Sequence, residues 1–212
     1  MSTSKFGILT KILRSRTFLI VFAILAATFT PLSGLSILEN QNQTFVEMST
    51  LGSNMTASDY FPNNNSTITV GQEIGWYVRV HNQLGAAEYL SIRVKLTNAT
   101  EIMQNSTLHE SIVAPLLFED HQLVAQNGTW IVPLSWTITA VDVEESYLNI
   151  DSILMNGNST TDLKLGTNLD GRFRIVVELW KYNPSTGGFE FAWTSENQTK
   201  SVWNHIWFNV KN

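Results

Sequence analysis

"EIGWYVRVHN", residues 73–82, decides the fold. Ile74, Trp76, Val78 and Val80 fall on one face of it, and Tyr77, Arg79 and His81 on the other. A period of two is the mark of a half-buried antiparallel strand. The same pattern recurs outward along the chain. In "EYLSIRVKLTN", residues 88–98, Leu90, Ile92, Val94 and Leu96 alternate with Ser91, Arg93, Lys95 and Thr97. In "TWIVPLSWTIT", residues 129–139, Trp130, Val132, Leu134, Trp136 and Ile138 alternate with Pro133, Ser135, Thr137 and Thr139. Pro133 has no N–H for a ladder, so it predicts an edge strand or a bulge.

Further on, "RFRIVVELWKY" (172–182) and "FEFAWT" (189–194) flank "NPSTGG" (183–188), a turn rich in Pro and Gly. That combination predicts a hairpin. "HIWFNV" (205–210) supplies a last strand and "TFVEMSTL" (44–51) an early one. Long helical periodicity is absent beyond residue 40, and the best helix candidate, "HESIVAPLLFED" (109–120), is broken by Pro115. The fold class is therefore mainly β, an antiparallel sandwich over residues 45–212.

The 212 residues suffice for one medium domain plus an appendage. There is no cysteine, which excludes disulfides, thiolate metal sites and Cys nucleophiles. Lys5, Lys11, Arg14 and Arg16 cluster at the N-terminus, and the first acid is Glu39. Past residue 16 the chain carries nine basic residues against 18 acids. A domain that acidic repels nucleic acid, so no nucleic-acid partner is expected.

"TFLIVFAILAATFTPLSGLSIL", residues 17–38, contains no charge. As a helix it spans roughly 33 Å, close to the ~30 Å hydrocarbon core. Basic residues precede it and acids follow. The positive-inside rule then keeps residues 1–16 in the cytoplasm and sends the bulk of the chain outside. Two readings compete. A cleaved signal peptide would use Phe18–Phe29 as its apolar core and the small residues near Ser33 and Gly34 as its cut site. A retained signal-anchor would use the whole stretch. Pro31 speaks for the first; the length, and the lack of an Ala-x-Ala site, speak for the second. The expectation is a cytoplasmic tip (1–16), a transmembrane anchor (17–38), a spacer (39–44) and an extracytoplasmic sandwich (45–212), with the lipid bilayer as the anchor's partner.

Glycan acceptor triplets, Asn-x-Ser/Thr, start at Asn42, Asn54, Asn64, Asn65, Asn98, Asn105, Asn127, Asn158 and Asn197. With 19 Asn and 41 Ser plus Thr, random placement gives about four; nine are present. Asn, Ser and Thr also serve as turn residues, which explains part of the excess. Laid over the expected strands, the triplets precede them, end them or fall between them. A bulky sugar needs that placement.

The stretch from "TFVEMSTL" to "SIRVKL" resembles the start of an uncharacterised archaeal family of membrane-anchored proteins. The resembling residues are the short strand, Tyr60 with Pro62, Thr69-Val70-Gly71, Val80-x-Asn82 and Tyr89. The closing hairpin and "IWFNV" are similar as well. A Gly before a strand ending in Val-x-Asn also occurs widely in immunoglobulin-like cell-surface modules. The resemblance implies an extracytoplasmic immunoglobulin-like β-sandwich beside a membrane segment, and it brings no catalytic residues.

No motif of catalysis or cofactor binding is present: no G-x-S-x-G, no G-x-G-x-x-G, no P-loop. His81, His109, His121 and His205 are scattered, with no pair at a metal-ligand spacing. Asp142, Glu144, Glu145 and Asp151 read as a solvated acidic loop rather than a calcium site, since no EF-hand spacing is present. No metal, no cofactor and no enzymatic activity are expected.

The seven tryptophans are the informative feature. Alternation puts Trp76, Trp130 and Trp136 in the core. Trp180 points away from Ile175, Val177 and Leu179; Trp203, His205 and Trp207 oppose Ile206, Phe208 and Val210. Either something covers both faces of these strands, or one face displays aromatics to a ligand. The functional expectation is a structural or protein-interaction module of the cell envelope. The alternative is a carbohydrate- or ligand-binding module using Trp180, Trp203, His205 and Trp207.

Overall fold

The computed structural model describes residues 44–99, 109–168, 171–195 and 197–211. The chain divides between Gln43 and Thr44 into two units, and all described residues belong to the second. The expected tip, anchor and nearly all of the spacer lie outside the described residues, as do Asn42 and Asn105. Among the described residues no helix is long and apolar enough to cross a membrane.

The described chain is built from β1 (Phe45–Leu51), β2 (Thr67–Thr69), β3 (Ile74–Gln83), β4 (Glu88–Asn98), β5 (Leu116–Val124), β6 (Thr129–Glu144), β7 (Tyr147–Met155), β8 (Asn158–Thr160), β9 (Leu165–Asn168), β10 (Phe173–Asn183), β11 (Gly188–Glu190), β12 (Trp193–Ser195), β13 (Gln198–Lys200) and β14 (Val202–Lys211). One 3-10 turn, Pro62–Asn64, precedes β2. The first sheet runs β1-β3-β6-β7-β8, with β9 also on β7. The second runs β2-β14-β10-β4-β5, with β11 added to β10. Every pairing is antiparallel except β2 with β14.

Alternation explains why the two sheets stack. β3 buries Ile74, Trp76, Val78 and Val80; β6 buries Trp130, Val132, Leu134, Trp136 and Ile138. From the second sheet come Leu90, Ile92, Val94 and Leu96 on β4, Phe173, Ile175, Val177 and Leu179 on β10, and Phe208 and Val210 on β14. These form one core. Its centre is a run of rings that crosses between sheets: Trp76 to Trp136 at 5.1 Å, Trp136 to Phe208 at 5.2 Å, Phe208 to Phe173 at 5.9 Å. Burying large aromatics is the main apolar drive toward a two-layer fold.

Turn chemistry fixes one end. Asn82 is fully buried at the end of β3. Its amide donates to the carbonyls of Ala86 (2.8 Å) and Val124 (2.9 Å), and its oxygen accepts from the Leu84 N–H. One side chain thus satisfies backbone groups of two connections, β3–β4 and β5–β6. Gly85, in the first of them, takes a φ of 92° that an L side chain resists.

The strand expected at an edge or with a bulge is central, between β3 and β7, and its register against β7 shifts around Ala140. Pro133 fits because β7 pairs only from Trp136 onward; beside Pro133 that flank holds the Asn156 side chain, which donates to the Pro133 carbonyl at 3.0 Å. The segment around Pro115, where the proline argued against a helix, is extended and leads into β5. The acidic "VDVEES" run closes a β6–β7 hairpin, with Glu145 at φ 50°. β7 itself was not legible, because the register of β6 against it shifts around Ala140.

Candidate functional site

The two sheets present very different outer faces. On the first, β3 and β6 turn out Gly75, Tyr77, Arg79 and His81, and Pro133, Ser135, Thr137 and Thr139. That face is mostly polar, as expected of a solvated antiparallel sheet, with exposed Ile131 on β6 and Leu154 on β7 set among the polar residues. The second sheet departs from the rule. β10 turns out Arg174, Val176, Glu178, Trp180 and Tyr182; β4 turns out Tyr89, Ser91, Arg93, Lys95 and Thr97; β14 turns out Trp203, His205 and Trp207. Register sets them side by side: Arg174 opposite Trp207 and Thr97, Val176 opposite His205 and Lys95, Glu178 opposite Trp203 and Arg93.

Trp203, His205 and Trp207 form a continuous row of half-buried rings. Trp203 and His205 stack, 5.7 Å apart and 19° from parallel. His205 meets Trp207 edge-on at 5.6 Å, and the Arg174 guanidinium lies 5.0 Å over the Trp207 ring. Burial, and then the Arg174 charge, hold the His205 pKa below its ordinary 6.5.

Trp180 shares the face but not the row. Its ring touches Phe191 at 5.8 Å and lies under the Arg93 guanidinium at 3.9 Å. Arg93 pairs with Glu119 at 2.9 Å. Burial alone would raise the Glu119 pKa; hydrogen bonds from Arg93 and Ser91 and the Arg93 charge outweigh it, and the value falls below 4.5. Near this end Tyr89, His121, Tyr182 and Phe189 pack ring against ring at 5.2 to 5.9 Å. Sequence reading missed this cluster, although Tyr89 and Tyr182 share the parity of Arg93 and Trp180.

Between the row and the cluster, residues 109–112 cross the face. Lys95 Nζ donates to Ser111 Oγ (2.6 Å), the Ile112 carbonyl (2.7 Å) and Glu178 Oε2 (3.0 Å). Glu178, fully buried, also accepts from the Ile112 N–H (2.9 Å) and Trp180 Nε1 (3.0 Å). His109 and Ser201 are hydrogen-bonded at 2.9 Å. Lys95 and Ser111 could suggest a Ser–Lys nucleophile pair. Lys95 Nζ spends its three hydrogens on Ser111 Oγ, the Ile112 carbonyl and Glu178, and the Ser111 hydroxyl in turn donates to Glu178, so the contacts read as structural. The cluster is a clasp that ties this strap to the sheet.

The acceptor asparagines are placed as follows. Asn54, Asn64, Asn65, Asn127, Asn158 and Asn197 are exposed in turns or at strand starts. Asn98 ends β4 and is buried; its Nδ2, where a sugar would attach, donates to the Gly166 carbonyl at 2.7 Å. The folded domain leaves no room for a glycan there. His81 bonds to Thr129 and Gln83 on the opposite sheet from His121 and His205. Among the described residues no group of three His, Asp or Glu is placed to hold a metal ion.

No family model matches the chain, and no curated protein matches it. Among solved structures it is similar to the CARDB domain of the PF1109 protein from Pyrococcus furiosus, a structure in complex with di-metal ions. The identity is 11%, 79% of this chain and 89% of that chain are covered, and the TM-score is 0.40. It is also similar to the C-terminal domain of wzt, at 8% identity over 81% of this chain and 76% of that one, with a TM-score of 0.37. Both are β-sandwich folds.

Proposed function

We propose that this chain is a non-enzymatic interaction module, anchored by residues 17–38 and displayed outside the membrane, which binds a partner protein through the outer face of its second sheet. The observation that carries the reading is the contrast between faces: one sheet is mostly polar outside, with isolated Ile131 and Leu154, while the other carries a contiguous set of half-exposed rings with Arg93 among them and Arg174 buried beneath. Half-exposed Trp, Tyr and Arg held rigidly are what interface anchors are made of. An immunoglobulin-like ancestry fits the topology, in which β1 and β2 feed opposite sheets and β2 runs parallel to the last strand.

The geometry favours a protein over a sugar at this face. A sugar stacks on an open ring face. Trp203 and His205 already turn their faces to each other, Trp207 has Arg174 over one side, and Trp180 has Arg93. One face of each of these rings is therefore already occupied.

Photo-crosslinking in intact membranes tests this. A crosslinking amino acid at position 203 or 207 should capture one defined protein band, and the same probe at position 137 on the first sheet should not. Equal yields from both faces, or none from position 203 or 207, would overturn the assignment.

A further inference from the structure

A second concavity lies away from this face, between the β1–β2 connection and the start of β3. Its volume is about 460 Å³, and its lining includes Asn54, Asp59, Tyr60, Phe61, Asn64 and Glu73. That size falls within the ~300–1,000 Å³ typical of small-molecule sites. Tyr60 and Phe61 are fixed from below: both rings pack edge-on against Trp76, at 6.5 and 5.7 Å, and the Trp76 indole donates to the Tyr60 carbonyl. The site is therefore firm-floored.

Its chemistry is that of a polyol site. One wall is aromatic, suited to the C–H face of a sugar ring. The other wall carries Asp59 and Glu73, each with one oxygen engaged by a serine hydroxyl (Ser58 at 3.1 Å, Ser135 at 2.6 Å). The second oxygen of each is an acceptor that wants a neutral donor, and sugar hydroxyls are donors. No lysine or arginine lines the cavity, which disfavours an anion.

Two of the chain's acceptor asparagines, Asn54 and Asn64, line this one cavity. Neighbouring Asn65 spends its side-chain oxygen on the Thr67 N–H at 3.0 Å, and Asn98 is buried, whereas Asn54 and Asn64 are exposed and make no side-chain hydrogen bond within the described protein. The turn that carries Asn64 is set by its own N–H donating to the Phe61 carbonyl at 3.1 Å, with Asn63 and Asn64 both at positive φ.

We infer that an N-linked glycan, attached at Asn54 or Asn64, folds its first sugar rings back into this cavity and becomes part of the domain's packing. The inference rests on the outward orientation proposed above, because the acceptor triplets are read only on that side of the membrane.

The test uses the full chain recovered from the membranes of cells that make it. Glycopeptide mass spectrometry reports occupancy, and thermal unfolding reports packing. Thr56→Ala abolishes the Asn54 triplet and Ser66→Ala the Asn64 triplet, each leaving its asparagine in place; Asn158→Gln removes an exposed acceptor outside the cavity. One of the first two variants should lose a glycan and lower Tm by about 2–4 °C, and Asn158→Gln should leave Tm within about 1 °C. Enzymatic deglycosylation of the wild type should reproduce the loss. Sugar at Asn158 with none at Asn54 or Asn64 overturns the seat and leaves the orientation standing. Sugar at Asn54 or Asn64 whose removal does not lower Tm also overturns it. A chain without sugar anywhere overturns the seat and leaves the orientation to be read by labelling on intact cells.

Discussion

His205 shows how one residue's setting follows from strand parity. Alternation along β14 puts it between two indoles, and register puts it opposite Val176, in the row next to Arg174. Burial and the nearby guanidinium both disfavour its charged form, so its folded pKa lies below 6.5. The unfolded chain then takes up this proton before the folded one does. The contribution to stability is complete above about pH 6.5 and falls as the pH drops toward the lowered folded value. His205→Phe keeps the ring and removes the proton. Its Tm should fall less than the wild type's between about pH 7.5 and about pH 5.5. Identical acid limbs in the two proteins would show that His205 is not a determinant of the acid response.

At the scale of elements, the strap and its clasp hold the second sheet's outer face in shape. Lys95 and Glu178 are a buried pair, with side chains 10% and 0% exposed. Removing one partner strands the other charge, so Lys95→Met should cost about 3–5 kcal/mol in urea unfolding. Adding Glu178→Leu should recover most of that, yet amide exchange at Ile112 should quicken, because its acceptor has gone. A loss below about 1 kcal/mol for Lys95→Met would mean the clasp is not a buried ion pair in solution. Nothing local announced the clasp. Lys95 alternates like a solvated residue of a half-exposed strand, and Ser111 and Ile112, which arrive from elsewhere in the chain, are what engage its ammonium. β3, β4, β6 and the β10–β11 hairpin were legible because period-two alternation is a local signal. β7 was not, since its run Ile150-Asp151-Ser152-Ile153 breaks alternation where β6 shifts register. Pro133 pointed to an edge or a bulge, and β6 is bare-flanked on the β7 side at Pro133 and shifts register near Ala140.

Across the whole molecule, the aromatic row was legible from parity alone: Trp180, Trp203, His205 and Trp207 do share one outer face. What parity could not supply was whether their ring faces are open, because that depends on Arg93 and Arg174 arriving from neighbouring strands. Nor could it show that Asn54 and Asn64, ten residues apart in sequence, line one cavity, because the loop between them closes only on the Trp76 floor. The acidic domain and the cationic N-terminal cluster are the charge pattern on which the proposed outward display rests.

The absence of cysteine makes one measurement direct. Single cysteines at His205 and Thr137 can be labelled with a membrane-impermeant maleimide, on intact cells and on the purified full chain. The account predicts that Thr137→Cys labels equally in both, while His205→Cys labels readily when purified and is protected on cells. Equal labelling of His205→Cys in the two settings would contradict a partner on that face, and a Thr137→Cys that reacts only after lysis would contradict the outward display itself.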